Sequence, residues 1–192
     1  MKVTPTQLPD VLVIEPTVHR DERGWFFELF HEERWAELGL PAEFRQDNQS
    51  RSNRNVLRGL HYQLERPQGK LISCSSGEAL DVAVDIRVGS PTFGRWVAVE
   101  LSADEPRLVW IPPGFAHGFY SRSDATVVQY KCTDVYVPGD DRGILWSDPD
   151  VNVNWPTRQP LTSARDRALP RLRDARAHLP QYAPAMARGS AR

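Results

Sequence analysis

Apolar and polar residues alternate with a period of two along much of this 192-residue chain. The alternation is clearest over residues 79–88, where five aliphatic side chains share one face and Asp81, Asp85 and Arg87 fall on the other. Such sorting is typical of a half-buried strand and cannot arise at helical spacing. The same pattern predicts strands at 11–15, 25–30, 56–62, 70–75, 95–101, 107–111, 117–121 and 126–135.

Short strands separated by Gly and Pro turns predict an all-β protein, built as an antiparallel β-sandwich or barrel. Helical spacing is scarce. Residues 32–38 can form two turns before Gly39, and residues 165–179 can form one or two short helices broken at Pro170.

We therefore expect a single domain over 1–192. It would have a β-rich core at about 10–160, a C-terminal helical appendage at about 161–180 and a poorly ordered tail at about 181–192.

Composition narrows the class of protein. The 24 Lys and Arg residues nearly balance 25 Asp and Glu residues, for a net charge of -1, which argues against a protein built to hold nucleic acid. No apolar run is long enough for a membrane span, and the N-terminus lacks the apolar core of a secretory signal. Two cysteines cannot form a disulfide framework, so we expect free thiols and a cytoplasmic protein.

Two of the five histidines have unusual neighbours, although a packed histidine with one satisfied nitrogen is the ordinary interpretation of each. The turn that ends at His117 resembles the second metal-binding motif of cupins. The first cupin motif, His-x-His followed by Glu, is represented here by His61-Tyr62-Gln63 and Glu65. The second histidine is therefore missing, and we expect a jelly-roll shape without a metal.

Acid–base chemistry is the alternative. A histidine titrates near neutrality and can act as a general base where a carboxylate supports it, so His61 is a candidate base. Tyr130 is a candidate second proton handler. It shares one side of its strand with Val128 and Cys132, where a tyrosine is more often part of a core.

Two polar segments have weaker patterns. The polar residues at 45–50 show neither helical nor strand periodicity, which predicts a solvated loop. Residues 21–28 are predicted to form a turn that leads into a strand. Arg58 and His61 are three positions apart, so an unbroken strand would point them to opposite faces. A bulge at Gly59 could re-aim one of them.

Together these segments resemble the dTDP-4-dehydrorhamnose 3,5-epimerases. The matching pieces are 21–24 with 27–28, 46–48, 56–63, 68–70, 81–87, 90–94, 110–119, 130–131 and 155–156. The resemblance implies a cupin-type jelly-roll sandwich that works as a homodimer without metal or cofactor. It also implies inversion of C3 and C5 of a 4-keto-6-deoxyhexose linked to dTDP.

The resemblance assigns chemical roles to four residues. His61 is the implied base. Asp166 is its carboxylate partner, although the segment 161–166 is one residue longer than the family motif. Tyr130 is the implied acid on the opposite face of the sugar. Lys70 would stabilise the negative charge that develops on the enolate oxygen at C4.

The implied substrate-binding residues are Arg23, Glu28, Gln46, Asp47, Asn48, Arg58, His117, Tyr136, Asp141 and Arg165. In the family, arginines meet the diphosphate, amide side chains reach the thymine, and the residue matching Tyr136 stacks on the base. Asp141 stands where the family often has a glutamate. Arg23 and Glu28 would come from the other subunit of the homodimer.

The charge is unevenly distributed: residues 165–192 hold 7 arginines and 2 aspartates, a local charge of +5 that leaves -6 for residues 1–164. We expect Arg165 to meet Arg23, Arg58 and Lys70 around the diphosphate.

Three alternatives remain. The first is a monofunctional 3- or 5-epimerase of a related keto sugar. The second is a non-catalytic sugar-nucleotide binder, which would have no need for His61, Tyr130, Lys70 and Asp166 together. The third is a metal-dependent cupin oxygenase, which would need bound iron.

Overall fold

The computed structural model describes residues 1–183, which form thirteen strands and two short α-helices. The strands are β1 Lys2–Pro5, β2 Leu12–Glu15, β3 His19–Asp21, β4 Gly24–Phe26, β5 Gln46–Ser52, β6 Leu57–Gln63, β7 Lys70–Ser76, β8 Glu78–Asp85, β9 Trp96–Ser102, β10 Leu108–Ile111, β11 Phe115–Ser121, β12 Thr126–Cys132 and β13 Asp141–Gly143. The helices are α1 Glu32–Glu37 and α2 Ala164–Arg167, and 3₁₀ turns lie at Pro138–Asp140 and Arg176–His178.

Two antiparallel sheets form a sandwich, which confirms the predicted all-β jelly-roll class. The six-stranded sheet has the order β1-β2-β10-β7-β12-β5, and the five-stranded sheet has the order β13-β6-β11-β8-β9. A separate two-stranded hairpin, β3-β4, stands apart from both sheets. No helix within residues 1–183 is long and apolar enough to cross a membrane.

The apolar core has three layers. The inner layer fills the space between the sheets, and its members include Ile72, Ala83, Val109, Phe115, Phe119 and Val128. The segment around α1 covers the outer face of the six-stranded sheet with the fully buried Trp35. The C-terminal segment covers the outer face of the five-stranded sheet with Trp155, Leu172 and Leu179.

This outer cover corrects the prediction for residues 79–88. In β8 every residue after Glu78 is buried, so the strand is not half-buried. Its aliphatic face packs under the C-terminal segment, and its other face points between the sheets. Asp81 and Asp85 are therefore buried rather than exposed to solvent.

Other boundaries also differ from the prediction. The strand predicted over 25–30 ends at Phe26, and the polar run predicted as a loop is the regular strand β5. The first residues of the predicted tail are not loose: Gln181 forms a parallel bridge to Val88, and the Tyr182 amide donates to the Val88 carbonyl at 2.9 Å. The rest of that tail, from residue 184 onward, lies outside the described residues.

Candidate active site

A cavity of about 390 Å³ opens between the two sheets and collects most of the residues that the sequence singled out. The six-stranded sheet lines it through β5, β7 and β12, and the five-stranded sheet lines it through β6 and β11. The predicted residues at its wall are Gln46, Asn48, Arg58, His61, Lys70, His117, Tyr130, Tyr136, Asp141, Arg165 and Asp166.

Three predicted substrate-binding residues lie elsewhere in the single chain. Arg23 is exposed beside the β3-β4 turn and pairs with Asp21. Glu28 accepts hydrogen bonds from Arg34 at 2.9 and 3.0 Å. Asp47 points to the outer side of β5, away from the cavity, and pairs with the Lys131 ammonium group at 2.9 Å.

His61 and Asp166 form a hydrogen-bonded pair. The Nε2 atom of His61 is 2.8 Å from Oδ1 of Asp166, whose side chain is only 5% exposed. Burial by itself would raise the pKa of Asp166, but hydrogen bonds, the largest of them with His61, outweigh burial and hold the pKa below its ordinary value. The carboxylate therefore stays ionised beside the imidazole.

The C-terminal segment delivers Asp166 to this position despite its one-residue-longer spacing. Leu161 forms a parallel bridge to Val56, next to the start of β6. Two residues later the Ser163 hydroxyl caps α2 by accepting the Asp166 amide at 3.0 Å. This N-cap begins the helix at the point where Asp166 faces His61.

A bulge in β6 brings Arg58 and His61 into the same cavity. In the pairing of β6 with β11, Arg58 lies opposite Phe119 and His61 lies opposite His117. Between these two pairs, β6 therefore contains one residue more than β11. The extra residue reverses the alternation of side chains, and both Arg58 and His61 line the cavity.

Gly59 allows the two strands to approach closely at this bulge. Its φ of +119° is unfavourable for residues with a side chain. A Cβ atom there would also lie 2.6 Å from Cα of Gly118 and 2.8 Å from the His117 carbonyl oxygen. Glycine is therefore required where the sequence suggested a bulge.

Tyr130 and Lys70 face the histidines from the other sheet. Tyr130 is half-buried on the side of β12 that also carries Val128 and Cys132, as predicted. Burial raises the pKa of Tyr130, which keeps its hydroxyl protonated. Lys70 is almost completely buried, and burial lowers the pKa of its ammonium group. Cys132, Asp141 and Asp81 oppose that decrease.

The β5 strand supplies a polar wall. The Tyr136 amide donates to Gln46 at 2.7 Å, and Gln46 in turn donates to Asn48 at 2.9 Å. Farther along the strand, the Ser52 hydroxyl accepts a hydrogen bond from Nε of Arg58 at 3.0 Å. Ser50, between Asn48 and Ser52, has a buried hydroxyl with no hydrogen-bond partner among the described residues.

Three residues form a cluster at the mouth of the cavity. The Tyr136 hydroxyl donates to Asp141 at 2.9 Å, and the Arg165 guanidinium contacts the same carboxylate at 2.6 Å. The hydrogen bond between Arg165 and Asp141 raises the pKa of Arg165. Arg165 thus shares the cavity with Arg58 and Lys70 as expected, but its charge is paired with Asp141.

The sequence patterns missed Asp81, Ser50 and Ser52. Asp81 lies behind the wall, where its Oδ1 atom is 2.7 Å from Nε2 of His117. The signal that could have identified Asp81 was a charged residue inside the apolar run at 79–84. Within residues 1–183 no three His, Cys, Asp or Glu side chains are placed to hold a metal ion.

Comparisons with known proteins agree on one family. A family model described as dTDP-4-dehydrorhamnose 3,5-epimerase matches residues 5–174. The dTDP-4-dehydrorhamnose 3,5-epimerase of Shigella flexneri is 54% identical over 168 residues, which cover 86% of this chain and 93% of the relative.

Solved structures of epimerases resemble this chain in fold as well as in sequence. The dTDP-6-deoxy-D-glucose-3,5-epimerase of Legionella pneumophila, crystallised with dTDP-4-keto-L-rhamnose, is 48% identical and superposes with a TM-score of 0.91 over 95% of this chain and 98% of that one. A 3'-monoepimerase of Streptomyces bikiniensis with dTDP-quinovose has a TM-score of 0.88 at 35% identity, covering 93% and 92% of the two chains. The fold is therefore common to single and double epimerases, and the sequence is more similar to the double epimerases.

Proposed function

The chain belongs to the dTDP-4-dehydrorhamnose 3,5-epimerase family, and we propose that His61 and Tyr130 transfer its protons from opposite sides of one bound sugar. The family reaction inverts C3 and C5 of a dTDP-linked 4-keto-6-deoxyhexose. The observation that carries the proposal is that the two groups belong to facing sheets of one cavity. Inversion of a carbon requires removal of a proton from one face and delivery to the other.

His61 acts as the base. Both C3 and C5 flank the C4 ketone, which makes their hydrogens acidic enough to leave as protons. Asp166 contacts Nε2 of His61, so Nδ1 is the nitrogen that takes the proton. The ionised carboxylate then stabilises the imidazolium that forms.

Tyr130 and Lys70 complete each inversion. When a proton leaves carbon, negative charge develops on the C4 oxygen, and the buried ammonium of Lys70 stabilises it in a cavity of low dielectric. Tyr130 then delivers its proton to the opposite face of the same carbon. The raised pKa of Tyr130 keeps it in the protonated form that this step needs.

The nucleotide occupies the polar side of the cavity. Arg58 is oriented by hydrogen bonds from Nε to Ser52 and from Nη2 to the Arg51 carbonyl, and the N–H groups that these two bonds do not use are available to phosphate oxygens. Arg165 contributes a second guanidinium from the mouth. Gln46 and Asn48 reach the thymine, and Tyr136, which is 47% exposed, stacks on it.

We further infer a homodimer in which Arg23 and Glu28 reach the partner's cavity. Both residues lie away from the cavity of their own chain. They flank Trp25 and Phe26, which are 46% and 68% exposed in the single chain. Exposed aromatic residues of this size are typical of a contact surface. A cytoplasmic location is supported by Cys74 and Cys132, which are buried free thiols suited to a reducing compartment.

The test is proton exchange measured by NMR in deuterated water with the dTDP-4-keto sugar. Wild-type protein should introduce deuterium and invert both C3 and C5. His61→Asn should abolish exchange at both carbons while dTDP still binds. Tyr130→Phe should allow exchange with retention, because His61 can return a deuteron only to the face from which it removed the proton.

His178→Asn, at an exposed histidine of the C-terminal 3₁₀ turn that does not line the cavity, is the matched control and should behave as wild type. Full exchange by the His61 variant would overturn the assigned base. Inversion at a single carbon by the wild-type protein would instead identify a monofunctional epimerase.

A further inference from the structure

A second histidine–carboxylate pair lies beside the first. Nε2 of His117 is 2.7 Å from Oδ1 of Asp81, and the two side chains are 7% and 1% exposed. The pair spans two neighbouring strands, β11 and β8, in the middle of the five-stranded sheet. His117 lines the cavity, whereas Asp81 lies behind it and cannot touch a substrate.

His117 stands between the proposed base and the proposed acid. It is the direct cross-strand partner of His61, which places the two Cβ atoms about 5 Å apart. On its other side, the His117 ring meets the edge of Tyr130, with ring centroids 6.4 Å apart. A substrate group that contacts His117 is therefore part of the reacting sugar and not of the thymine.

We propose that Asp81 is a positioning residue for the epimerisation, which holds His117 with Nε2–H donated to the carboxylate and Nδ1 turned toward the sugar. The inference rests on the proposed function, since it needs the sugar to lie between His61 and Tyr130. A carboxylate can only accept a hydrogen bond, so the pairing fixes which ring nitrogen carries the proton.

The burial of Asp81 supports this role. An ionised carboxylate is costly to bury unless it is paired, so a residue that served only to fill space would be apolar here. Its neighbours on the same face of β8 are small or bonded elsewhere: Ala83 packs in the inner core, and Asp85 binds Arg87. Of these three side chains, Asp81 is the one that hydrogen-bonds to a residue lining the cavity.

Asp81 also acts on Lys70. Burial lowers the pKa of Lys70, and Asp81 is one of the groups that oppose this decrease. The titratable and charged groups that line the cavity together with Lys70 are Arg58, His61, Tyr62, His117, Tyr130, Tyr136, Asp141, Arg165 and Asp166. Cys132 on β12 and Asp81 on β8 act on Lys70 from outside this lining. Removal of the Asp81 charge should therefore move the loss of the Lys70 charge to lower pH.

Asp81→Asn is the test. The variant should lower kcat about ten- to a hundredfold, the range known for loss of a carboxylate that orients a metal-ligating histidine, where it likewise fixes the tautomer and the ring orientation. The affinity for dTDP should change by less than about twofold, because His117 contacts the sugar. The alkaline limb of the kcat profile should shift to lower pH. A loss of fold stability alone could lower the apparent kcat, but it would not shift the alkaline limb.

Asp85→Asn is the matched control, since Asp85 is equally buried on the same strand and bonds to Arg87, Ser90 and Thr92 instead. It should lower the melting temperature without changing kcat. A double variant separates position from folding: in a His117→Gln background, Asp81→Asn should have almost no further effect on kcat, because its partner is gone.

Additive effects in the double variant, or a normal kcat for Asp81→Asn, would overturn the inference. So would a loss of dTDP binding at unchanged kcat, which would move His117 to the nucleotide. Failure of the proposed function is recognisable separately, because the wild-type protein itself would then show no exchange at C3 or C5.

Discussion

The Ser50 hydroxyl is buried on the cavity side of β5 without a partner among the described residues. A buried polar group in this condition is unfavourable in the free protein, and a substrate oxygen can satisfy it. We predict that Ser50→Ala raises KM about three- to tenfold, the equivalent of one hydrogen bond. The free energy of unfolding should stay the same or increase.

Steady-state kinetics and urea unfolding check this prediction together. Ser73→Ala, on the outer face of β7, serves as the control and should leave KM unchanged. A drop in stability without a change in KM would mean that the hydroxyl is structural.

Asp81 illustrates what residue patterns can and cannot predict. The alternation over 79–88 correctly sorted its side chains into two faces, but alternation does not reveal what covers each face. The cover of β8 comes from Trp155 and Leu172, far away in sequence. His61, Tyr130, Lys70 and Asp166, in contrast, were assigned by family resemblance and do meet in one cavity.

Among the elements, β6 has the most demanding geometry. Its bulge needs glycine at position 59, since a Cβ atom would collide with backbone atoms of Gly118 and His117. We predict that Gly59→Ala lowers kcat/KM at least a hundredfold, because displacement of β6 against β11 misplaces both Arg58 and His61. A loss of about 2 kcal/mol or more in stability should accompany it.

The control for this prediction is Gly139→Ala, where a Cβ atom would meet nothing within 4 Å. Circular dichroism and denaturant unfolding report the fold, and NMR exchange reports the site. Normal activity of the Gly59 variant would show that the bulge does not position the base.

The strand β5 shows why one element escaped prediction. Its side chains do alternate, with Gln46, Asn48, Ser50 and Ser52 turned inward and the residues between them exposed. Because the inward face borders a cavity rather than the apolar core, both faces are polar and hydropathy carries no period. A strand whose cavity-facing residues are all polar, as in β5, lacks the hydropathy signal that identified the other strands around this cavity.

The loop after β6 depends on a single carboxylate. Asp140 accepts backbone hydrogen bonds from Leu64, Glu65 and Arg66 at 2.8 to 3.1 Å. Burial would raise the pKa of Asp140, but these bonds outweigh it and hold the pKa below the ordinary 3.8. Asp140→Asn should therefore lower the free energy of unfolding at neutral pH by about 2 kcal/mol.

The sign of the pH dependence follows from the lowered pKa. The Asp140 contribution is fully present above about pH 4 and is lost as the pH falls through the folded-state pKa. Unfolding measured on either side of the ordinary Asp pKa of 3.8, from about pH 5 to about pH 2.5, should show a smaller loss of stability for Asp140→Asn than for wild type. Parallel curves would contradict this account.

At the scale of the whole molecule, the proposed dimer makes a prediction about shared sites. A purified heterodimer of Arg23→Ala and His61→Asn subunits should have about half of wild-type activity, although each homodimer is nearly inactive. Each cavity takes His61 from one subunit and Arg23 from the other, so one cavity of the heterodimer would contain both substitutions and the other would contain neither. Differently tagged subunits, co-expressed and purified on both tags, allow the measurement.

A heterodimer of His61→Asn and Asp166→Asn subunits is the control, because these residues come from the same chain and each cavity keeps one lesion. It should stay inactive. Failure of the first pair to recover activity would place Arg23 in its own subunit's site or outside any site.

The overall architecture was predictable because most strands have an apolar face, and their number and turns are typical of a sandwich. The outer layers were not, because they depend on which distant segments fold back. The cover formed by Trp35 and the cover formed by Leu172 and Leu179 each consist of short pieces with little period of their own.

The long separation between His61 and Asp166, 105 residues along the chain, also affects how activity arises during synthesis. All thirteen described strands precede Asp166. Since a protein emerges from the ribosome N-terminus first, both sheets can form before the carboxylate that supports the base has been made. A copy that ends before residue 166 therefore lacks the carboxylate that supports the base, even though all thirteen strands have been synthesised.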